Sequence, residues 1–432
     1  MNQDDLLVTS LGPCERPSPL DFHSPSHPNS EHFQLEQERI RVDITVDGNP
    51  ADTVPTFEAA GPRRHIFFAP DRTTAAIVTC GGLSPGLNNV IRSIYCELTE
   101  NYGVHRVLGI RNGYMGMNPE AGLEPIPLTR DFVEPIHKLG GTVLGSSRGP
   151  QSPIAMADFL ASRQIDILLC LGGDGTQRGA HALAQELLQR NARTVVVGIP
   201  KTIDNDVPFV ELSFGYTTAL EKAAEVIRGA HVEARSAVNG IGLVKLMGRH
   251  AGFIAAGASV VSQEVDFTLV PEIPFPLAGK DGFLAALEKR MRARSHAVIV
   301  VAEGAGQHLL ESPDERRDAS GNLQHEDIGL FLKRRIKSYF ADIGFPVAMK
   351  YLDPSYHIRS VPADVYDRYL CDQMARHAVH AAMAGKTDML IGLEHGRYVH
   401  VPIPAVVCQS KIMDVSGDLW RAVLQATAQP RW

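Results

Sequence analysis

One stretch of the sequence gathers the side chains that proton transfer beside a bound substrate would need. An apolar run, residues 195–199, leads into the motif PKTIDND, in which Lys201, Thr202, Asp204 and Asp206 stand within six residues. One carboxylate can take a proton from an attacking hydroxyl while the other fixes the substrate. Two acids at one strand end would repel each other unless a ligand or a cation lay beside them. The motif therefore predicts a site for acid–base chemistry.

A second apolar run, residues 167–171, ends in the glycine-rich motif GGDGT. The motif consists of Gly172, Gly173, Asp174, Gly175 and Thr176. An acid among phosphate-binding backbone amides makes sense if a divalent cation offsets its repulsion of phosphate, so Asp174 is a predicted Mg²⁺ partner, directly or through water. A helix is expected from Gln177. A structural cap of that helix is the alternative role for Asp174.

A third junction of this kind follows the apolar run at residues 75–78. Gly81, Gly82 and Gly86 come next, and the segment after them has an apolar helical face. Glycines let the backbone approach a ligand, and a helix start offers N–H groups to an anion. The spacing matches neither the dinucleotide GxGxxG motif nor a Walker loop, so a plain tight turn is the alternative.

These motifs need strands that end at a common edge, and the chain has the pattern to supply them. Short apolar runs alternate with glycine-rich turns and amphipathic segments, which predicts an α/β fold with mostly parallel sheets flanked by helices. Ligands bind at the carboxyl ends of the strands in such sheets. The predicted strands are 75–78, 107–110, 167–171, 195–199, 241–246, 297–301 and 389–393.

The N-terminal 70 residues have a different character. They hold 11 acidic and 5 basic residues, no lysine and 9 of the 28 prolines, and the stretch 17–32 is too polar to fold alone. Ile40, Val42, Ile44 and Val46 alternate with polar residues, which predicts one strand that lies against the main body or a neighbouring subunit.

Composition excludes several classes of function. The remaining 362 residues are almost neutral, with 38 acids and 37 bases, which argues against a nucleic-acid scaffold. No apolar run approaches the roughly 18 residues that span a bilayer, so we expect a soluble, cytoplasmic protein without a membrane partner. The six cysteines lack metal-ligand spacing and are expected to be reduced, buried hydrophobes.

The chain resembles the phosphofructokinase family over residues 74–426. The combination of GGDGT, PKTIDND, MGRHAG and VPEIPF carries the resemblance. It implies two Rossmann-like lobes that face each other across a cleft. The implied organisation is an N-terminal extension at 1–70, an ATP-binding lobe at 71–215 plus about 360–405, and a fructose 6-phosphate-binding lobe at 216–359 plus the C-terminal segment.

The resemblance also implies roles for individual residues. Asp204 would be the general base for the 1-hydroxyl of the sugar, with Thr202 and Asp206 beside it, and Asp174 would serve Mg²⁺. Gly81 and the GGDGT loop would hold the nucleotide phosphates. Arg148, Arg249 and Lys201 would offset the charge of the transferring phosphoryl group. The implied sugar-binding positions are Met247, Gly248, Arg249, Glu272, Lys350, Tyr356 and Arg359.

Departures from the commonest bacterial pattern bear on the phosphoryl donor. Gly175 favours ATP because a carboxylate there would repel the α-phosphate, whereas Lys201 is typical of pyrophosphate users. The pairing of Gly175 with Lys201 resembles ATP-dependent members of the long-chain branch, so ATP is the predicted donor and pyrophosphate the alternative. Gly240 occupies the position of an arginine that relatives reach across a subunit boundary.

Two other classes of function stay open at this stage. NAD kinases and diacylglycerol-type kinases also carry GGDGT, although PKTIDND and MGRHAG do not fit them. A non-catalytic regulatory subunit would typically lose the acids that this chain keeps at 174, 204 and 206. The family resemblance implies a homotetramer or homodimer.

Overall fold

A computed structural model describes residues 2–22, 32–45, 54–310 and 326–432. The strands are β1 (Thr9–Ser10), β2 (Arg16–Pro17), β3 (Arg39–Arg41), β4 (Thr56–Ala59), β5 (His65–Ile66), β6 (Thr74–Thr79), β7 (Arg106–Ile110), β8 (Ile126–Pro127), β9 (Ile167–Gly172), β10 (Val195–Pro200), β11 (Gly240–Leu246), β12 (Phe267–Leu269), β13 (His296–Ala302), β14 (Ala348–Leu352), β15 (Lys386–Thr387), β16 (Met389–Glu394) and β17 (Arg397–Pro402). The α-helices are α1 (Leu87–Cys96), α2 (Arg130–Val133), α3 (Pro153–Ser162), α4 (Asp174–Gln189), α5 (Tyr216–Ser236), α6 (Phe253–Ser262), α7 (Phe283–Arg294), α8 (Ile328–Asp342), α9 (Ser355–Arg359), α10 (Val365–Met383), α11 (Ile403–Val407) and α12 (Asp418–Thr427).

The predicted α/β class and all seven predicted strands are confirmed. Each apolar run forms the centre of β6, β7, β9, β10, β11, β13 or β16. Every residue of β6, β9 and β10 is buried, as expected for strands that are covered on both faces.

The chain divides into two compact units. Unit 1 consists of Met1–Thr202, Val207–Gly215 and Val361–Ser410, and unit 2 of Ile203–Asp206, Tyr216–Ser360 and Lys411–Trp432. The boundary therefore falls within the PKTIDND motif.

Unit 1 is built on a nine-stranded sheet. Its strand order is β3-β4-β17-β16-β10-β9-β6-β7-β8. The five central strands, from β16 to β7, are parallel, and the outer strands pair antiparallel. The parallel centre aligns the carboxyl ends of β6, β9 and β10, where the predicted phosphate-binding loops begin.

Unit 2 contains a four-stranded parallel sheet of order β12-β13-β11-β14. The long helix α5 packs against β11 and β13, and α6 packs between α5 and α12. The loops after β11, β12 and β13 share one edge of this sheet.

The predicted N-terminal strand is confirmed in part. Only Arg39–Arg41 is extended in a ladder, where it pairs with β4, which in turn pairs with β17. Residues 42–45 are not in a strand, and Val46 lies outside the described residues. The strand therefore lies against the main body of its own chain.

Three smaller expectations can be compared with the structure. The helix expected from Gln177 begins three residues earlier, at Asp174, because Gly173 already adopts the extended conformation of an N-cap. All six cysteines are free, but only Cys80, Cys170 and Cys371 are buried, whereas Cys14 and Cys96 are half-buried and Cys408 is exposed. No helix in the described part of the chain is long and apolar enough to cross a membrane.

Candidate functional site

In unit 1 three predicted loops meet at the carboxyl end of the central strands. Strand β9 lies between β6 and β10, with Cys170 opposite Val78 and Leu171 opposite Ile199. The backbone continues this pairing beyond the strand ends, because the amide of Lys201 donates to the carbonyl of Gly172 at 3.1 Å. The loops after these three strands are thus held against one another by backbone hydrogen bonds.

Lys201 and Thr176 converge on the Gly81 backbone. A Cβ atom built on Gly81 would lie 3.6 Å from the Lys201 ammonium and 3.9 Å from the Thr176 hydroxyl. Gly81 has a φ of +81°, which favours glycine, and the Lys201 ammonium donates to the Gly82 carbonyl. Lys201 is only 5% exposed. A buried cation, a hydroxyl and a bare glycine backbone make a suitable cradle for phosphate.

The GGDGT loop opens helix α4. A Cβ on Gly172 would lie 2.1 Å from the Thr176 hydroxyl, so the loop requires glycine at that position. A Cβ on Gly175, in contrast, would have nothing within 4 Å. This space is what the predicted nucleotide would need beside the first turn of α4.

Asp174 is the first residue of α4 and is exposed. Its carboxylate accepts hydrogen bonds from Arg178 Nε at 3.0 and 3.2 Å, in a pair that is about 60% exposed on both sides. Mg²⁺ is typically held by one or two carboxylates, waters and substrate phosphates, so a single accessible carboxylate beside a phosphate cradle fits this ion.

The loop that carries Arg148 is tied to the same cradle. The Gly81 amide donates to the Ser147 carbonyl at 3.0 Å, and the Ser146 hydroxyl donates to the Gly81 carbonyl at 2.6 Å. Arg148, the next residue, is exposed. The structure thus brings Arg148 into the neighbourhood of Gly81.

The PKTIDND motif is divided between the units, because residues 200–202 belong to unit 1 and Ile203–Asp206 belongs to unit 2. In unit 1 the Thr202 carbonyl accepts from the Ser213 hydroxyl at 2.6 Å. Asp204 and Asp206 are half-buried. Between them Asn205 is buried with a φ of +55°, which turns the backbone sharply between the two acids. The Asp206 carbonyl accepts a hydrogen bond from the Lys411 amide at 3.3 Å.

The MGR loop follows β11 and contacts the loop after β13. Gly248 has a φ of +123°, and a Cβ there would lie 2.5 Å from the Ala251 carbonyl oxygen. The Gly304 amide donates to the Gly248 carbonyl at 3.0 Å. These contacts hold Met247 and Arg249 on either side of Gly248, at the carboxyl edge of the sheet.

Glu272 binds backbone amides in this structure. Its carboxylate accepts from the amide of Gly252, just before α6, at 2.8 and 3.1 Å, and from the Met413 amide at 2.9 Å. The predicted sugar-binding acid therefore also joins the start of α6 to the C-terminal segment.

The predicted phosphate-binding residues of unit 2 are not all together. The Arg359 guanidinium stacks over the Tyr356 ring at 4.8 Å on α9. Lys350 instead lies opposite Gly242, four residues or about 13 Å before the end of β11, and its ammonium is 3.7 Å from Glu233. The structure does not bring Lys350 to the Arg249 edge of this sheet.

Sequence reasoning missed Glu303, which follows β13 directly. Burial raises the pKa of its carboxyl group, and Arg249, Lys245 and Arg359 act in the opposite direction. The carboxyl group thus lies among the cations of the MGR and α9 regions. Its signal in the sequence was similar to that of PKTIDND, an acid within a few residues of the end of an apolar strand.

Comparisons with known proteins are specific. A family model described as Phosphofructokinase matches residues 74–382. The chain is 46% identical to the ATP-dependent 6-phosphofructokinase of Borreliella burgdorferi, over 99% of this chain and 97% of the relative. It is 44% identical to the enzyme of the same name from Amycolatopsis methanolica, over 100% and 96%.

Solved structures support the fold. The pyrophosphate-dependent phosphofructokinase of Marinobacter aquaeolei superposes with a TM-score of 0.67 at 22% identity, covering 83% of this chain and 92% of that one. At this identity the likeness bears on the fold alone.

Proposed function

The chain belongs to the phosphofructokinase family, and we propose that it is an ATP-dependent 6-phosphofructokinase. It transfers the γ-phosphoryl group of ATP to the 1-hydroxyl of D-fructose 6-phosphate and releases fructose 1,6-bisphosphate and ADP. The observation that carries this proposal is the cradle of unit 1, in which Lys201 and Thr176 converge on Gly81 beside the open space at Gly175.

On the donor side, the residues of unit 1 bind and orient the phosphates. The Gly81 backbone and the GGDGT loop approach them, while Lys201 and Arg148 balance their charge. Asp174 would hold Mg²⁺, which when bound neutralises charge on the phosphate oxygens. Positioning and charge balance are the main requirements of phosphoryl transfer.

On the acceptor side, Asp204 accepts the proton of the sugar 1-hydroxyl as that oxygen attacks phosphorus. Asp206 and Thr202 orient the hydroxyl, and Arg249 offsets charge on the transferring group. Tyr356 and Arg359 bind the 6-phosphate, with Met247, Gly248 and Glu272 along the sugar. The PKTIDND motif supports this pairing of donor-side and acceptor-side roles, because Lys201 and Asp204 are only three residues apart in the chain.

The test is the rate of fructose 1,6-bisphosphate formation with Mg²⁺, run in parallel with ATP and with pyrophosphate. Activity with ATP alone is expected. Activity with pyrophosphate alone would overturn the donor assignment and make Lys201 its determinant, and inactivity with both would favour a regulatory subunit.

The Asp204→Asn variant tests the proton acceptor. A general base contributes about 10²- to 10⁴-fold, so kcat should fall by this range while the affinity for fructose 6-phosphate stays similar. The matched control is Asp206→Asn, for which a larger effect on KM is expected. Near-normal turnover of Asp204→Asn would contradict the assignment.

We also infer that the enzyme acts in the cytoplasm as a homotetramer or homodimer. Lys350 supports an assembly, because it lies opposite Gly242, about 13 Å from the Arg249 edge of its own sheet, and would therefore have to bind the 6-phosphate of an adjacent subunit. Hybrids of inactive Lys350→Ala and Asp204→Asn subunits should then regain activity. Hybrids without any activity, or a monomeric mass in solution, would contradict this inference.

A further inference from the structure

Lys245 is a cation inside the sheet of unit 2. It lies on β11 two residues before Met247, and its side chain is 13% exposed. Its ammonium is 2.8 Å from Asp353 and 2.9 Å from Asp327. A charge in such a place destabilises the fold unless it is paired, and these two carboxylates provide that pairing.

Asp353 joins Lys245 to the helix that carries the phosphate-binding residues. One oxygen of Asp353 contacts Lys245, and the other accepts from the amide of Ser355, at 3.2 Å, and from its hydroxyl. Ser355 is the first residue of α9, on which Tyr356 and Arg359 lie. A single carboxylate thus connects β11 to the start of α9.

The strand register makes this connection direct. Strands β11 and β14 are parallel, and Val244 lies opposite Leu352. Lys245 is the next residue on β11, and Asp353 follows the last residue of β14. The MGR loop begins two residues after Lys245 and α9 begins two residues after Asp353, so one ion pair fixes the distance between the two loops.

Asp327 provides a natural comparison. It contacts the same ammonium at nearly the same distance, but its other contacts are the Leu330 amide, at the start of α8, and the Tyr351 hydroxyl. Asp327 therefore shares the electrostatic role of Asp353 without a connection to α9.

We propose that Lys245 and Asp353 are positioning residues for recognition of the sugar 6-phosphate, and that their ion pair sets the place of Tyr356 and Arg359 relative to Arg249. This inference rests on the proposed function, in which these three residues bind fructose 6-phosphate. Neither member of the pair needs to touch the substrate.

The experiment compares Asp353→Asn with Asp327→Asn in the full-length enzyme. Each variant removes one carboxylate and leaves the other to balance Lys245. For Asp353→Asn we expect the KM for fructose 6-phosphate to rise at least about tenfold, with kcat and the KM for ATP within about threefold of the wild type. For Asp327→Asn the KM for fructose 6-phosphate should change less than about threefold. The melting temperature of Asp327→Asn should nevertheless fall at least as much as that of Asp353→Asn.

Two further variants guard against a purely structural explanation. Lys245→Arg, which keeps the charge, should retain most of the affinity, whereas Lys245→Met should lose it. If Asp353→Asn fails to fold, Ser355→Ala provides a second test, because it removes the hydroxyl contact between Asp353 and α9 and keeps the amide contact and the buried charge pair. This variant should still raise the KM for fructose 6-phosphate by about threefold without changing kcat.

Equal effects of Asp353→Asn and Asp327→Asn on this KM, or an unchanged KM in Ser355→Ala, would overturn the inference. These outcomes leave the proposed function intact, because the wild-type enzyme would still phosphorylate fructose 6-phosphate. A wild type without this activity would instead contradict the proposed function itself.

Discussion

At the scale of single residues, the open space beside Gly175 makes the proposed donor site testable. Gly175→Asp should fold, because a Cβ meets nothing within 4 Å there and the residue has no positive φ. Two unit charges about 4 Å apart repel by roughly 4 kcal/mol at an effective dielectric of about 20. Even half of that energy corresponds to about a 30-fold loss of affinity, so kcat/KM for ATP should fall by at least this factor.

The control for this variant is Gly175→Asn, which adds a side chain of the same size without the charge. It should keep most of the activity with ATP, and both variants should melt close to the wild type. Equal losses in the two variants would mean that bulk, rather than charge, selects the donor at this position.

His377 gives a residue-level prediction about acid stability. Burial, with His400 and Arg63 nearby, lowers the pKa of His377 to about 3 in the folded protein. As the pH falls below about 6.5, the unfolded chain binds a proton that the folded chain does not, so this contribution to stability is present above 6.5 and is lost toward pH 3. Between pH 6.5 and 5 the loss amounts to about 1–2 kcal/mol.

His377→Phe should remove that part of the pH dependence and keep the stack on Tyr398, whose ring lies 4.4 Å away. Urea unfolding at pH 7, 6 and 5 measures the difference between variant and wild type. His105→Phe, at an exposed position, serves as the control. Parallel stability curves for wild type and His377→Phe would show that His377 does not titrate as its burial implies.

The pattern of apolar strands predicted some residues of the candidate site and missed others, for physical reasons. Lys201 and Asp174 could be found because each follows a continuous apolar run, and such runs end at one edge of a parallel sheet. The place of Lys350 depends on the register of β14 against β11, which an apolar pattern does not encode. The pair of Lys245 and Asp353 is a contact between residues 108 positions apart, and no local signal marks it.

At the scale of elements, the N-terminal strands should contribute to stability. Phe57 on β4 is fully buried, and its ring meets that of Phe209 at 5.1 Å in an edge-on contact. Phe57→Ala should cost about 3–5 kcal/mol of unfolding free energy, as large-to-small changes in a core do. The measurement is urea unfolding, with the half-buried Ile40 on β3 changed to alanine as a control that costs less.

A Phe57→Ala variant within about 1 kcal/mol of the wild type would mean that β3 and β4 detach from the sheet at little cost.

The alternation at residues 40–46 predicted a strand but could not give its length or partner, because a lone strand takes its register from the surface it meets. Here β4 provides that surface, and the ladder with β3 ends at Arg41.

At the scale of the whole molecule, the division into two units predicts where each substrate protects the chain. The proposed donor loops at 81–86, 145–148 and 172–178 belong to unit 1, and the proposed sugar-binding segments at 247–249 and 356–359 belong to unit 2. A ligand at 100 times its Kd stabilises the state that binds it by about 2.7 kcal/mol, enough to slow hydrogen exchange about 100-fold where opening requires its release.

Hydrogen exchange read by mass spectrometry, with each ligand added alone, measures this protection. A non-hydrolysable ATP analogue with Mg²⁺ should slow exchange in the donor loops, and fructose 6-phosphate should slow it in the sugar-binding segments. Asp353→Asn should weaken the second effect and leave the first unchanged. Protection of 247–249 and 356–359 by the nucleotide, with none at 172–178, would reverse the assignment of the two units. The residues around Arg249 would then bind the nucleotide, and those around Lys201 would bind the sugar phosphate.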